Sequence, residues 1–232
     1  MSDNGTRVRV RVAGEFACFS RPEMKVERVS YEVMTPSAAR GILDAILWRP
    51  EMRWVVRRIE VLRPIRFVSL RRNEIQSKVA PRTVAQWIAD PSAYAPQAAG
   101  AGSDEATPRN TLALRDVAYV IEAEPLVFEP GDENHPTKYI AMFNRRVEKG
   151  QCFHRPYLGC REFPCDFLPS DPDEPPWSDT RDLGFMLYDI AFGGEENRAH
   201  FFRAKLEAGV LDTDPARVLP DGGEDLRCSS RR

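Results

Sequence analysis

The sequence predicts an α+β protein in which an antiparallel sheet is backed by two helices. Three observations lead to this fold class. Arginine and valine alternate over residues 7–12, a sharply delimited helix pattern occupies residues 35–50, and a second helix pattern follows over residues 134–149. A chain of 232 residues can bury a sizeable core in one domain, or in one domain with an appendage.

The first two elements are a strand and a helix. In the strand, RVRVRV, side chains point alternately to opposite faces, so the valines face the core and the arginines form a cationic outer face. In the helix, Thr35 suits the N-cap, Pro36 suits the first helical position, and Pro50 stops the helix. The predicted apolar stripe consists of Ala39, Ile42, Leu43 and Ile46.

The elements that follow continue the strand and helix alternation. Residues 53–67 predict two strands separated by Pro64, and residues 112–123 predict another strand. Between them, residues 79–110 are dominated by Ala, Pro, Ser and Gly, which predicts a long mobile insertion with at most a short helix near Trp87. The second helix buries Ile140, Phe143 and Val147 and ends at Gly150, before a loop and a strand within residues 152–167.

This order of elements is compatible with a ferredoxin-like, or RRM-like, sheet over residues 1–168. An acidic, proline-rich linker follows Pro169. We expect a small appendage over residues 169–212, with a strand at 183–192 and a helix at 198–208. Residues 213–232, which end in Ser-Ser-Arg-Arg, predict a disordered tail.

The formal net charge of −2 is an average over segments of opposite sign. Residues 21–82 carry 14 Lys/Arg against 7 Asp/Glu, and residues 138–161 carry 6 against 1. Residues 83–137 carry 2 against 9, and residues 162–232 carry 8 against 16. The two basic segments are therefore candidates for binding a polyanion, with plain solvated faces as the alternative.

The first basic segment mixes cations with aromatic rings. Cations neutralise phosphates and flat rings stack on unpaired bases, so the pattern favours single-stranded nucleic acid. The cations are Arg21, Lys25, Arg28, Arg40 and Arg49, and the rings are Phe19, Tyr31 and Trp48.

The second basic segment contains the candidate chemistry. If RNA is the partner, Lys138 can neutralise charge at a scissile phosphate, and Tyr139 or His154 can stack or relay a proton. The alternative is phosphate anchoring, with Tyr139 in the packing. The anchoring cations are then Lys138, Arg145 and Arg146, next to the basic loop with Arg155.

Cysteine usage and motif content narrow the function classes. Five cysteines, an odd number without a secretory segment ahead of them, predict reduced thiols and a cytoplasmic protein. Cys152, His154, Cys160 and Cys165 lack the regular spacing of structural zinc, so we expect no metal. Phosphate-loop, dinucleotide and hydrolase-elbow motifs are absent from the sequence, and no apolar run is long enough to cross a membrane.

Five segments carry a resemblance to a known family. They are RPEMKVERVSYEVMTPSAARGIL (21–43), LRPIRF (62–67), RRNEI (71–75), RDVAYVIEA (115–123) and KGQCFHRPYLGCREFP (149–164). In this order they closely resemble the CRISPR-associated Cas-five family in its subtype I-C form. The resemblance spans residues 14–167 and extends to DLGFMLYDI (182–190), but it leaves out the insertion and the tail.

The resemblance implies a ferredoxin-like, repeat-associated fold that binds CRISPR RNA. It implies a subunit that cuts the precursor transcript beside the repeat hairpin and keeps the 5′ handle within the interference complex. The implied reaction needs no metal or other cofactor, since the ribose 2′-OH attacks the adjacent phosphate. The implied partners are CRISPR RNA and its precursor, the backbone and large subunits of the complex, and target DNA, with no membrane.

The resemblance also locates a catalytic group. The family places an aromatic or His at the end of the first helix and a Lys-His pair at the start of the second. These positions correspond to Leu47, Lys138 and Tyr139, so only the lysine is retained in kind. Two hypotheses stay open: an endoribonuclease that uses Lys138 and Tyr139, and a non-catalytic scaffold that holds the handle. Outside this family, a generic single-strand RNA-binding module fits the charge and the aromatics.

Overall fold

The computed structural model describes residues 6–24, 26–100, 102–103, 105–131, 133–191 and 197–223. The strands are β1 Val8–Ala17, β2 Arg28–Val29, β3 Met52–Val61, β4 Phe67–Ile75, β5 Ala106–Val127, β6 Asp166–Pro169, β7 Arg181–Ala191, β8 Arg198–Glu207 and β9 Val210–Asp212. The helices are α1 Pro36–Ile46, α2 Pro81–Ala89, α3 Pro136–Glu148 and α4 Pro215–Val218, with a short 3₁₀ turn at Pro91–Ala93.

The strands form one sheet in the order β6-β1-β5-β3-β9-β8-β7. Neighbours along this path are antiparallel, while β2 and β4 pair with β5 outside the path. The β2–β5 pair is parallel. The predicted α+β class with an antiparallel sheet is confirmed.

The start of α1 follows the sequence prediction. The Thr35 side chain accepts a hydrogen bond from the backbone N–H of Ala38 at 3.3 Å, and Pro36 begins the helix. The helix ends at Ile46, before Pro50, because Leu47 turns to an extended backbone conformation. The predicted apolar stripe is buried. The cap and the buried face of α1 therefore fix the position at which the turn at residues 48–51 begins.

Helices α1 and α3 pack on the same sheet around one core. Helix α1 contacts β3 and β7, whereas α3 contacts β5, β6 and β1. Trp54 of β3 meets Phe143 of α3 edge to face, with ring centroids 5.0 Å apart. Such edge-to-face pairs contribute about 0.5–1.5 kcal/mol beyond the burial of their area. This packing fixes the end of α1 relative to α3.

Ion pairs neutralise the cationic outer face of β1. Arg9 bonds Glu122 at 2.8 Å and Glu60 at 3.1 Å, and Arg11 bonds both carboxylate oxygens of Glu174 at 2.7 and 3.2 Å. Burial alone would raise the pKa of Glu122, but hydrogen bonds from Arg7 and Arg9 and the charge of Arg58 outweigh it and lower the pKa. Arg9 is thus bound to carboxylates on β3 and β5, and Arg11 to a carboxylate in the segment between β6 and β7.

An arm projects from the sheet between β4 and β5. The two strands pair from Phe67↔Leu114 to Ile75↔Ala106, and α2 lies beyond them. The short helix expected near Trp87 is confirmed. The predicted insertion is too wide, because residues 106–110 belong to β5 and pair with β4. The mobility of the remaining segment stays a prediction.

The predicted helix over residues 198–208 is wrong, because Arg198–Glu207 forms β8. Phe202 and Leu206 fit both a helical and an alternating pattern, but His200, Phe202, Ala204 and Leu206 are buried at every second position. Strand β9 pairs with β3, so β7–β9 continue the main sheet. The predicted tail is ordered over 213–223, where α4 lies and Leu219 is buried, while residues 224–232 lie outside the described residues.

Candidate nucleic-acid interface

One exposed surface brings together most of the second basic segment and the end of α1. We call it the α1–α3 surface: the turn at residues 48–51, the side chains of His135, Lys138, Arg145 and Arg146, and the loop at residues 149–155, with Tyr139 buried beneath it. Arg146 donates a hydrogen bond to the backbone carbonyl of Ile46. The backbone N–H of Phe153 donates to the carbonyl of Ala45 at 2.8 Å. The last turn of α1 is therefore held by both α3 and the basic loop.

Two aromatic side chains are exposed on this surface. Trp48 is 58% exposed and Phe153 is 84% exposed. Both lie at the end of α1, because Trp48 follows it in sequence and Phe153 is bonded to its last turn. Large aromatic rings that are exposed to solvent can stack on unpaired bases. Sequence reasoning found Trp48 and missed Phe153, although Phe153 lies in the basic loop beside His154.

Lys138 lies in the first turn of α3 and its side chain is exposed. Its Nζ donates to the carbonyl of Glu133 at 2.8 Å and lies 5.7 Å from the centre of the Tyr139 ring. The ammonium group can bind a phosphate oxygen in place of the Glu133 carbonyl. The geometry is compatible with a role for Lys138 in stabilising anionic charge.

Tyr139 is only 2% exposed. Its hydroxyl donates a hydrogen bond to Oδ1 of Asn134. Burial raises the pKa of Tyr139, the charge of Glu51 raises it further, and Arg49 opposes both. A buried phenol that has a raised pKa and already donates its proton in a hydrogen bond is a poor proton acceptor at neutral pH.

His135 is an exposed imidazole at the N-cap of α3 that sequence reasoning did not single out. Its Nδ1 accepts a hydrogen bond from the backbone N–H of Thr137 at 3.4 Å and lies 2.9 Å from Oγ1 of the same residue. This arrangement leaves the ring proton of the neutral side chain on Nε2. Its backbone carbonyl accepts from the N–H of Lys138 at 3.0 Å. The sequence feature that could have identified His135 is its position directly before Pro136, at the start of a predicted helix.

The remaining predicted cations of this surface differ in their contacts. The Arg145 side chain is exposed and forms no ion pair or hydrogen bond with the residues that the structure describes. Arg146 is half-buried against α1, and Arg155 forms an exposed ion pair with Asp166. His154 is exposed and its ring stacks on Tyr157, with centroids 6.5 Å apart. Arg145 is thus the most available of these side chains for a phosphate.

Arg40, predicted to bind RNA, is bound inside the protein instead. Its guanidinium donates to both carboxylate oxygens of Asp189 at 2.9 and 3.0 Å and to Asp44 at 3.0 Å. Arg53 bonds the same Asp189 at 2.7 Å. Burying charged groups costs free energy unless each charge has a partner of opposite sign. Here the two guanidinium groups face the two carboxylates. The structure therefore assigns Arg40 to the contact of α1 with β7.

The predicted cations and ring between β1 and α1 have partners within the protein wherever the structure describes them. Tyr31 is 2% exposed, its ring is covered by Arg21 at 4.5 Å, and its hydroxyl accepts from the N–H of Leu187. It therefore offers no free face to a base. Arg28 pairs with Glu162 at 2.9 Å and with Glu74 of β4 at 3.5 Å. Lys25 lies outside the described residues.

Leu47 is fully buried at the end of α1. Its backbone N–H donates to Leu43 at 2.8 Å, and its carbonyl accepts from Nε1 of Trp54 at 2.8 Å. This residue packs in the core and caps the helix, and an aliphatic side chain moves no proton. The chemistry that the family resemblance expects at this position is therefore not supplied by Leu47.

Among the described residues, no group of three or more His, Cys, Asp or Glu side chains is arranged to hold a metal ion. Cys160 lies against Cys18, and Cys165 is buried. Within the same described ranges, no helix has the length and apolar character to span a bilayer.

The fold and this surface define an α+β protein with an exposed patch of cations and aromatic rings, a combination typical of domains that bind nucleic acid. The chain belongs to the family of CRISPR-associated proteins described as CRISPR-associated protein (Cas_Cas5), whose Cas5d model matches residues 8–214.

Two curated relatives are both named CRISPR pre-crRNA endoribonuclease Cas5d. The one from Mannheimia succiniciproducens is 48% identical over 222 residues, covering 90% of this chain and 95% of its own. The one from Thermus thermophilus is 45% identical over 192 residues, covering 83% of this chain and 76% of its own. The resemblance predicted from the sequence is thereby confirmed.

Solved structures share the fold at low identity. A functionally uncharacterized protein from Streptococcus mutans has a TM-score of 0.61 and 20% identity, with 89% of this chain and 91% of that chain covered. A CRISPR-associated protein has a TM-score of 0.62 and 22% identity, with 89% and 90% covered. At these identities the likeness supports the architecture alone.

Proposed function

We propose that this chain cleaves precursor CRISPR RNA beside the repeat hairpin and retains the 5′ handle within a type I-C interference complex. The observation that carries this proposal is the 45–48% identity to two relatives named as pre-crRNA endoribonucleases. The α1–α3 surface supplies suitable chemistry, because cations, exposed rings and two exposed imidazoles lie at its edge.

The reaction proposed is attack of a ribose 2′-OH on the adjacent phosphate, which leaves a cyclic phosphate and a free 5′-OH. Positioning for in-line attack supplies much of the rate. Lys138 stabilises the charge that develops on the phosphate oxygens. His135, one turn before it, is better suited than buried Tyr139 to move a proton, because its ring is exposed and its Nε2 is directed by the Nδ1 contact.

Binding is proposed to use the rest of the surface. Trp48 and Phe153 stack on unpaired bases, and Arg145 and Arg146 contact phosphates, with His154 and Arg155 beside them in the loop. Arg21 and Lys25 remain candidates for a second contact near the arm. The backbone and large subunits of the complex, and target DNA, are proposed partners, and the cytoplasm is the proposed location.

We also infer that the first part of the chain is a ferredoxin-like, RRM-like unit built from β1-α1-β3-β5-α3-β6. The sheet order β6-β1-β5-β3, with two helices packed on it, supports this topology.

The alternative is a non-catalytic subunit that holds the handle. The buried Leu47 and Tyr139 favour it. The test is incubation of the purified chain with a repeat RNA from its own array, in EDTA. A single cut at the hairpin base with a cyclic phosphate end supports the endoribonuclease. Tight binding without a cut overturns it and leaves the scaffold. Lys138→Ala should strongly slow cutting in the first case and only weaken binding in the second.

A further inference from the structure

The structure brings together two cysteines that are 142 positions apart in the sequence. Cys18 directly follows β1 and is buried, whereas Cys160 is half-buried in the loop after residue 155. The Sγ of Cys160 lies 3.6 Å from the carbonyl oxygen of Cys18. The hydroxyl of Ser20 lies 3.5 Å from one sulfur and 4.0 Å from the other. The two thiols therefore share one small polar site.

The backbones that carry these thiols are already in contact. The N–H of Cys18 donates to the carbonyl of Leu158 at 3.0 Å. Gly159 has a φ of +84°, and a Cβ on it would lie 2.1 Å from the carbonyl oxygen of Cys18. The loop is thus pressed against the end of β1. A disulfide requires two closely approached Cα atoms, and the backbone contact beside each cysteine favours such an approach.

The two thiols differ in acidity. The hydrogen bond from Cys18 is the largest cause that lowers the pKa of Cys160, the positive charge of Arg28 assists, and burial and Glu162 oppose. The same contact and burial raise the pKa of Cys18. Thiolates are the reactive form of cysteine. Cys160 is also partly exposed whereas Cys18 is buried, so Cys160 is the thiol of the pair that an oxidant reaches first.

A small molecule can approach this site from solvent. A pocket of about 310 Å³ opens beside it, lined in part by Cys18, Ser20, Ser37 and Tyr157. The partial exposure of Cys160 gives a second approach.

We propose that Cys160 is a peroxide-reactive thiol and that Cys18 is its resolving partner, so that the chain forms an internal Cys18–Cys160 disulfide. In the first step the Cys160 thiolate attacks a peroxide oxygen, the O–O bond breaks, and the departing hydroxide takes a proton to become water. In the second step the Cys18 sulfur attacks the sulfenic sulfur of Cys160, the S–O bond breaks, and the departing hydroxide takes the Cys18 proton. Two thiols lose two electrons, and the peroxide is reduced to two waters.

The disulfide would pin the loop to the end of β1. Because the two cysteines are far apart in the sequence, the cross-link restricts the unfolded chain and so stabilises the native state relative to it. This inference does not depend on the proposed cleavage of RNA.

The test uses the full wild-type chain treated with one equivalent of hydrogen peroxide, alkylated with iodoacetamide and digested for mass spectrometry. We expect a Cys18–Cys160 linked peptide, while Cys152, Cys165 and Cys228 of the same molecules stay alkylated. Without peroxide at neutral pH, Cys160 should react about tenfold faster with iodoacetamide than Cys152 does. Linkage between other cysteines, no linkage at all, or equal alkylation rates would overturn the proposal.

Two variants separate the roles of the pair. Cys18→Ser should stop the reaction at the sulfenic acid of Cys160, which dimedone labels. Cys160→Ser should leave Cys18 unlabelled, because Cys18 is buried. Dimedone labelling of Cys18 in Cys160→Ser would contradict the assignment. The wild-type experiment decides the proposal even where a variant does not fold.

Discussion

The guanidinium of Arg146 donates a hydrogen bond to the backbone carbonyl of Ile46, the last residue of α1. Carbonyls at a helix end lack partners within the helix, so this contact satisfies one of them with a positive charge. It joins the two helices at the point where Trp48 leaves α1. Arg145, its neighbour in sequence, is exposed to solvent. Arg146 thus has a structural contact in addition to its proposed phosphate contact, whereas the Arg145 side chain is available for a ligand alone.

Arg146→Ala and Arg145→Ala form a matched pair. We expect Arg146→Ala to lower the free energy of unfolding by about 1.5–3 kcal/mol, because a hydrogen bond to a charged group is lost. Arg145→Ala should leave stability unchanged. Urea unfolding of both variants measures this difference. Equal stability of the two would contradict the structural role of Arg146.

Binding of single-stranded repeat RNA should distinguish the contribution of the aromatic rings from that of the cations. Trp48→Ala and Phe153→Ala should each lose roughly 1–3 kcal/mol of binding free energy with an unchanged salt slope, since stacking is lost. Arg145→Ala should reduce the slope of log K against log salt by about 0.7. Titrations at several salt concentrations provide both quantities. Phe185→Ala, which removes a ring that is 71% exposed on β7, is the control with expected wild-type affinity.

Cleavage in EDTA should depend on His135 and Lys138 more than on Tyr139. We expect Lys138→Ala to slow single-turnover cleavage by about 10²–10³-fold and His135→Ala by about 10²–10⁴-fold. Tyr139→Phe should retain the rate within a few-fold, because its hydroxyl proton is already donated to Asn134. His154→Ala, which removes the second exposed imidazole of the surface, is compared at saturating protein so that weaker binding is not counted as slower cleavage. A His135→Ala protein with the wild-type rate and pH profile would remove His135 from the mechanism.

The buried ion pair of Asp189 predicts a pH-dependent contribution to stability. Burial raises the pKa of Asp189, but Arg40 and Arg53 outweigh it and hold the pKa below its ordinary value. A depressed carboxyl pKa stabilises the fold above the ordinary pKa, and this stabilisation is lost as the pH falls through the folded value. Asp189→Asn should therefore cost about 3–5 kcal/mol at pH 7, and the difference from wild type should shrink below about pH 4.

Urea unfolding of wild type and Asp189→Asn from pH 7 to pH 3 measures this difference. The control is Asp182→Asn, which removes the exposed ion pair with Arg203 and should leave the unfolding midpoint unchanged. A difference between wild type and Asp189→Asn that stays constant to pH 3 would contradict the assigned pKa direction.

The sequence was sufficient wherever the deciding forces are local. Alternating valines specify β1, Thr35 and Pro36 specify the start of α1, and the apolar stripe specifies its buried face, because each depends on neighbours within a few residues. The matched segments were also sufficient to predict the family. Residues 198–207 were mispredicted because Phe202 and Leu206 satisfy both periods, and only pairing with β7 and β9 selects the strand.

Tertiary structure alone decided which charges and rings are available. Arg40 and Tyr31 resemble surface binders in the sequence, but β7 supplies Asp189 to one and a backbone N–H to the other. Tyr139 is buried and Phe153 is exposed, although both are aromatic residues in a basic segment. Cys18 and Cys160 meet only because the loop folds back onto the end of β1. Sequence determines which groups the chain carries, whereas long-range packing decides which of them face solvent and which face each other.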